Sequence, residues 1–189
     1  MVKTPGTEAP PRPTTPHRQA PSPLEEHLRT LAGQVPDPEL PVITLAELGV
    51  LRDVRLTSPD HAQVDLTPTY TGCPALQNMA TDVEHTLHTA GITHVTVRTV
   101  LTPPWTTDDI TPDGLRKLAD FGIAPPRPQH TTGPITISLG PTRTDTPPPA
   151  CPHCGSTDTE LLSRFSSTAC KALHRCLNCR EPFDHFKEL

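Results

Sequence analysis

Six cysteines carry most of the chemistry open to this chain of 189 residues. Four form two C-x-x-C pairs, Cys151-Pro152-His153-Cys154 and Cys176-Leu177-Asn178-Cys179. Each pair directs two thiolates at one point. Together they close a tetrahedral four-sulfur shell, which suits a structural Zn2+ ion and leaves no position open. Iron in the same shell and paired disulfides are the competing uses. Cys73 and Cys170 stand apart. Cys73, in Thr69-Tyr70-Thr71-Gly72-Cys73-Pro74, lies between a strand-like and a helix-like run. A thiol there can be a nucleophile, a metal ligand or inert packing, and a helix N-terminus favours the thiolate. Cys170 reads first as a buried small hydrophobe, although the adjacent Lys171 favours a thiolate.

Two acids join this list. Asp37 and Glu39 sit in 35–42, where Pro36, Pro38 and Pro41 forbid a helix and favour an extended loop. Such acids are commonly solvated, and the functional alternative is hard-ligand or partner contact. A nucleophilic Cys73 needs a base. His61, His85 and His88 are available, but none falls in a recognisable pairing.

The elements that must position these residues follow from caps and periodicity. Ser22-Pro23-Leu24-Glu25 is a capping box opening a helix with Leu24, Leu28 and Leu31 on one face, closed by Gly33. Thr44 to Glu47 is a second capping box, and Gly49 ends that turn. Val50, Val54 and Leu56, then Ala62, Val64 and Leu66, alternate as an antiparallel hairpin. Leu76, Met79, Ala80, Val83 and Leu87 predict an amphipathic helix over 74–89. Val95, Val97 and Leu101 give a third strand. Thr111 and Pro112 open a last helix. Trp105 reads as a lid on the small core.

The sequence contains 26 prolines, too many for one globular body. They concentrate in a tail, 1–21, expected to be disordered, and in a linker, 125–149, where 135–139 alternates like an edge strand. What remains is an α+β domain at 22–124, a two-layer α-β-β-α-β-α arrangement with helices on one face of the sheet, and a ribbon at 150–189. The ribbon is too short to fold on apolar burial alone. Bound zinc contributes about 10–16 kcal/mol in modules of this kind. Phe165, Phe183 and Phe186 are its expected packing.

The net charge is −5, without a basic run, which argues against nucleic acid and anionic membranes as partners. Within 151–189, Arg164, Lys171, Arg175, Arg180 and Lys187 are matched by Asp158, Glu160, Glu181, Asp184 and Glu188. A protein-docking ribbon fits this balance better than a nucleic-acid module. No leader or membrane span is evident, so a soluble cytoplasmic chain is expected.

Several stretches together resemble one family. Asp37-Pro38-Glu39-Leu40-Pro41-Val42, Leu48-Gly49-Val50-Leu51 and Thr71-Gly72-Cys73-Pro74 resemble the MIP18-like (DUF59) domain, associated with iron–sulfur cluster assembly. Ser167-Thr168-Ala169-Cys170-Lys171-Ala172-Leu173, the second knuckle, and Glu181-Pro182-Phe183-Asp184-His185-Phe186-Lys187 resemble the D subunits of phenylacetyl-CoA epoxidase systems. Pro104-Trp105-Thr106-Thr107-Asp108 and Phe121-Gly122-Ile123-Ala124-Pro125-Pro126 fit as well. The family pattern has glycine where this chain has Ser166.

The resemblance implies an accessory role in aerobic phenylacetate degradation rather than the hydroxylating one. It implies a maturation factor passing an iron–sulfur cluster, or iron, to the reductase or oxygenase components. Cys73 matches the family's candidate ligand. One cysteine cannot hold a cluster alone. Asp37, Glu39 or Cys170 would complete a transient shell, or a homodimer would offer two Cys73 thiolates. A non-catalytic adaptor docking epoxidase components through the zinc ribbon is the alternative.

Overall fold

A computed structural model describes residues 20–70, 72–127 and 147–188. Most of the 1–21 tail and the alternating stretch 135–139 lie outside these residues.

The first helix, α1 (Pro23–Gly33), begins where the capping box places it: the Ser22 side chain accepts from the Glu25 N–H, and the Glu25 carboxylate accepts from the Ser22 N–H. It ends at Gly33, as expected, with Gln34 as a right-handed C-cap. Space also favours glycine here, because a Cβ on Gly33 would stand 3.0 Å from the Ala46 Cβ of the next element. That element, α2 (Leu45–Leu48), is capped by Thr44 and stopped by Gly49 in the left-handed region. A side chain at Gly49 would also strike the Asp109 carbonyl, so this turn admits only glycine.

Strands β1 (Leu51–Ser58) and β2 (His61–Leu66) form the expected antiparallel hairpin. Helix α3 (Leu76–Thr89) returns the chain to β3 (His94–Thr99), which runs parallel to β2 at the sheet edge. In register, Val54, Val64 and Val97 share the face covered by α1 and α3. Asp53, Asp65 and Arg98 share the other. There Arg55 bridges Asp53 and Asp65, Arg98 pairs with Asp65, and Arg29 reaches Asp53 from α1. This lattice of ion pairs explains how a two-layer domain leaves one sheet face to water. Leu101 falls beyond β3 and is exposed, against its expected place in the strand.

Helix α4 (Pro112–Asp120) follows, capped by Thr111, and leads into a two-residue strand, β4 (Ile123–Ala124). Strand β4 joins not the first sheet but the ribbon's. That sheet comprises β5 (Thr159–Ser163), β6 (Lys171–Cys176) and β7 (Pro182–Phe186), ordered β4-β7-β6-β5. The two units are also joined by packing. Phe186 is fully buried in the first domain's core, its ring 6.0 Å from that of Trp105. Trp105 is a core lid as expected, and its indole N–H donates to the Leu48 carbonyl at 2.9 Å. Phe165 departs from expectation: it is exposed, with the Lys187 ammonium 4.5 Å above its ring. No helix among the described residues is long and apolar enough to cross a membrane.

Candidate metal sites

The two C-x-x-C pairs fold into matching knuckles. In the first, the Gly155 N–H donates to the Cys151 carbonyl and the Cys151 N–H to the Ser156 carbonyl. In the second, Arg180 donates to Cys176, and Cys176 to Glu181, in the same pattern. The position after each second cysteine is left-handed: Gly155 at φ 73°, Arg180 at φ 70°. All four sulfurs lie within 4.8 Å of one another. Cys151–Cys179 and Cys154–Cys176 separations are 3.7 and 3.6 Å. A tetrahedral ion with bonds to sulfur of about 2.3 Å requires edges of about 3.8 Å. The shell therefore fits a metal such as zinc.

Its electrostatics call for a cation as well. The Ser156 N–H and the Asn178 amide draw the Cys154 thiol down to about 6. The Glu181 N–H also favours a Cys179 thiolate, but burial and the three neighbouring sulfurs push it up to about 12. Four thiolates cannot coexist here without a positive ion among them.

The second group lies where the two units meet. The loop before α2 is tied by the Asp37 N–H to the Ile43 carbonyl and the Leu45 N–H to the Val35 carbonyl, both 2.9 Å. Asp37 is 3 % exposed, so it is not a solvated loop acid. Its Oδ1 accepts the N–H groups of Glu39 and Leu40 at 2.8 and 2.7 Å. Burial raises its carboxyl; those two donors and Lys171 oppose the rise without cancelling it. Burial and the neighbouring Asp37 raise Glu39.

Cys73 is half-buried and within electrostatic reach of these acids. It precedes α3 by a short turn, for the helix begins at Leu76 and not at Pro74, with Ala75 as N-cap. The Ala75 and Leu76 N–H groups do reach the sulfur. The expected thiolate does not follow, because burial pushes the thiol up and the Glu39 and Asp37 carboxylates push the same way. Cys170 is 5 % exposed and is likewise raised by burial, with Glu39 and Asp37 adding to the effect. Lys171 acts against this, yet its ammonium is engaged with Asp184 at 3.0 Å. Asp184 also accepts from the Ser166 hydroxyl, so the serine at the family's glycine position supports the buried lysine.

The structure thus places Asp37 and Glu39 within electrostatic reach of Cys73 and of Cys170. Among the described residues, only the ribbon cysteines form a group of three or more ligand atoms within 4.8 Å. The group at the junction is an open arrangement. Sequence reasoning missed Tyr70, whose phenol is raised by burial and by the charges of Cys73, Glu39 and Cys170. Its only signal was its place just before Gly72 and Cys73. Of the candidate bases, His61 bonds Thr96 and His88 bonds the Ile92 carbonyl, and the charged groups that act on Cys73 are carboxylates.

Fold and sites define a two-part protein, an α+β domain and a ribbon whose four clustered cysteines could hold a metal ion. Residues 14–99 match the family described as iron-sulfur cluster assembly protein, and residues 138–187 match the PaaD zinc beta ribbon domain. The chain is 41% identical over 165 residues to a protein of Escherichia coli (strain K12) named as the D component of a 1,2-phenylacetyl-CoA epoxidase, covering 87% of this chain and 93% of that one. It belongs to the family of phenylacetyl-CoA epoxidase D subunits. A crystal structure of a DUF59 domain of unknown function from Bacillus anthracis aligns with a TM-score of 0.46 and 28% identity, over 50% of this chain and 90% of that one.

Proposed function

We propose that the chain is an accessory maturation factor of a phenylacetyl-CoA epoxidase system, carrying an iron–sulfur cluster or iron to the reductase or oxygenase components. In this reading Cys73 is the principal ligand of the cargo, with Asp37 and Glu39 as oxygen donors beside it. The ribbon holds a structural zinc through Cys151, Cys154, Cys176 and Cys179, and takes no part in the transfer chemistry.

The observation that carries this reading is the contrast between the two groups. The ribbon sulfurs are already at tetrahedral spacing, as a permanent metal requires. The junction group is unclosed, its main thiol half-buried and shifted upward by burial and neighbouring carboxylates. A soft thiolate ligand that must lose a proton to bind, in an incomplete shell, binds iron weakly enough to release it. Anaerobic incubation of the cluster-loaded chain with apo-reductase tests this. The expected result is restored reductase electron transfer with wild type and none with Cys73→Ala. Equal restoration by both would remove Cys73 from the mechanism.

One observation favours the adaptor reading. A groove of about 530 Å3 crosses the ribbon, lined by residues that include Pro147, Leu161, Phe165 and His174. Leu161 and Phe165 are exposed there. If Phe165→Ser abolishes association with the oxygenase while Cys73→Ala leaves pathway activity intact, the adaptor reading replaces the transfer reading.

A further inference from the structure

The ribbon sheet presents two different faces. Lys171 pairs in register with Phe186 on the face that meets the α+β domain, where Phe186 is buried. The alternate positions turn the other way: Leu161 stands beside His174, and Ala172 beside His185. These four residues line the groove of about 530 Å3, and Arg164, Phe165 and Lys187 line it with them. A cavity of this size takes a small molecule.

Its polar groups are left wanting a partner of one sign. His174 is 8 % exposed, yet its Nδ1 is closed off from water with no hydrogen-bond partner among the described residues. Its ring contacts are aromatic, a stack on Phe183 and an edge against His185. A buried imidazole left this way is costly until a polar group reaches it. Lys171 and Arg175 of the same sheet are paired, with Asp184 and Glu160. Arg164 and Lys187 have no carboxylate partner among the described residues. The Lys187 ammonium lies 3.4 Å from the Arg164 carbonyl and 4.5 Å above the Phe165 ring, so the two cations share one rim. The groove's acid, Glu188, is already engaged: its Oε1 accepts the Arg127 N–H at 3.4 Å and stands 3.7 Å from the His185 Nε2. Leu161 and Phe165 are exposed beside these charges.

We propose that the groove is a binding site for a small apolar carboxylate. Arg164 and Lys187 hold the acid group by charge-assisted hydrogen bonds. Leu161, Phe165 and the imidazole floor take the apolar body out of water. The site uses neither Cys73 nor the four ribbon cysteines, so it stands whether the chain carries a metal or only docks components.

The test uses the full zinc-loaded chain and two probes of one shape, naphthoate and its uncharged amide, followed by NMR of the histidine rings. Naphthoate is expected to shift the His174 and His185 resonances saturably and to leave those of His61 and His88 in place. The amide should bind about tenfold more weakly, the loss of one charge-assisted contact. That difference should vanish in the double variant Arg164→Gln, Lys187→Gln. Unchanged zinc content and Trp105 fluorescence show that the variant is folded, and the comparison of acid with amide in wild type decides the matter even if it is not. Equal binding of acid and amide, shifts spread over all four histidines, or no saturation overturns the inference. So does a preference for the acid that persists in the folded double variant. If the oxygenase component shifts His174 and His185 and naphthoate does not, the groove is a protein-docking surface and the inference is likewise overturned.

Discussion

Cys170 immediately precedes strand β6 and Cys176 ends it, the first buried in the α+β domain's core and the second in the ribbon's four-cysteine cluster. The strand spans roughly 20 Å at about 3.3 Å per residue. It runs from the first domain's core to the ribbon's cysteine cluster, so the two units share one packed strand. Phe186 on the neighbouring β7 packs against Trp105 and gives that coupling a reporter.

Removing the ribbon metal should therefore be seen by Trp105, the single tryptophan of the chain. Chelation is expected to red-shift its emission in step with zinc release, because the ribbon has no sufficient core of its own. Emission that stays constant until the first domain itself melts would show the units to be independent.

The Cys73 thiol should react slowly at neutral pH. Burial and the carboxylates of Glu39 and Asp37 hold it above the usual thiol range, so its alkylation rate should keep rising beyond about pH 9. Glu39→Gln or Asp37→Asn removes one of those negative charges. Either change is expected to lower the thiol's pKa and speed alkylation at neutral pH several-fold, read by mass spectrometry of the Cys73 peptide. The asparagine can still accept the N–H groups of Glu39 and Leu40, so the loop should persist.

Acid sensitivity should trace in part to Asp109. Burial alone would raise its carboxyl, but the Arg52 guanidinium, at 2.9 Å, and the Thr106 N–H hold it below the ordinary carboxylate value. A depressed folded value means that stability from this group is complete above about pH 4, its unfolded value, and is lost as pH falls through the lower folded one. Denaturation midpoints between about pH 2 and 7 should fall less steeply with acid in Arg52→Gln than in wild type. Parallel curves would assign the acid loss elsewhere.

The two knuckles should not be equally relaxed. Gly155 occupies its left-handed position freely, while Arg180 occupies the matching position with a side chain. That costs roughly 1–2 kcal/mol. Arg180→Gly is expected to recover about 1 kcal/mol, offset in part by the greater freedom of the unfolded chain, and to raise the temperature at which zinc is released. No rise would mean that the surrounding knuckle already absorbs the strain.

Much of this architecture is legible in the sequence because it rests on local signals. The capping boxes at Ser22 and Thr44, the cap at Thr111 and the alternation through Val54 and Val64 each place an element without tertiary help. The knuckles are equally local. What the sequence hides is contact between distant segments. Gly33 reads as a helix stop, which it is, but nothing local shows that it is also the point where Ala46 approaches. Strand β4 carries no pattern of its own at two residues, and only its pairing with β7 reveals that the ribbon sheet includes it. The site divides the same way. Cys73, Asp37 and Glu39 stand out as residue types in short motifs, but the burial and carboxylates that raise the Cys73 thiol are a property of the assembled junction. Lys171 reads as a neighbour of Cys170 in sequence. In the fold it is a buried cation paired with Asp184 and acting on the Asp37 loop as well.

The central claim, that Cys73 holds iron in transit, is tested most directly by iron, sulfide and zinc analysis of anaerobically purified wild type beside Cys73→Ala. The expected result is one zinc per chain in both, with labile iron present in wild type and absent from the variant. Equal iron in the two proteins, or iron that disappears only together with the zinc, would contradict it.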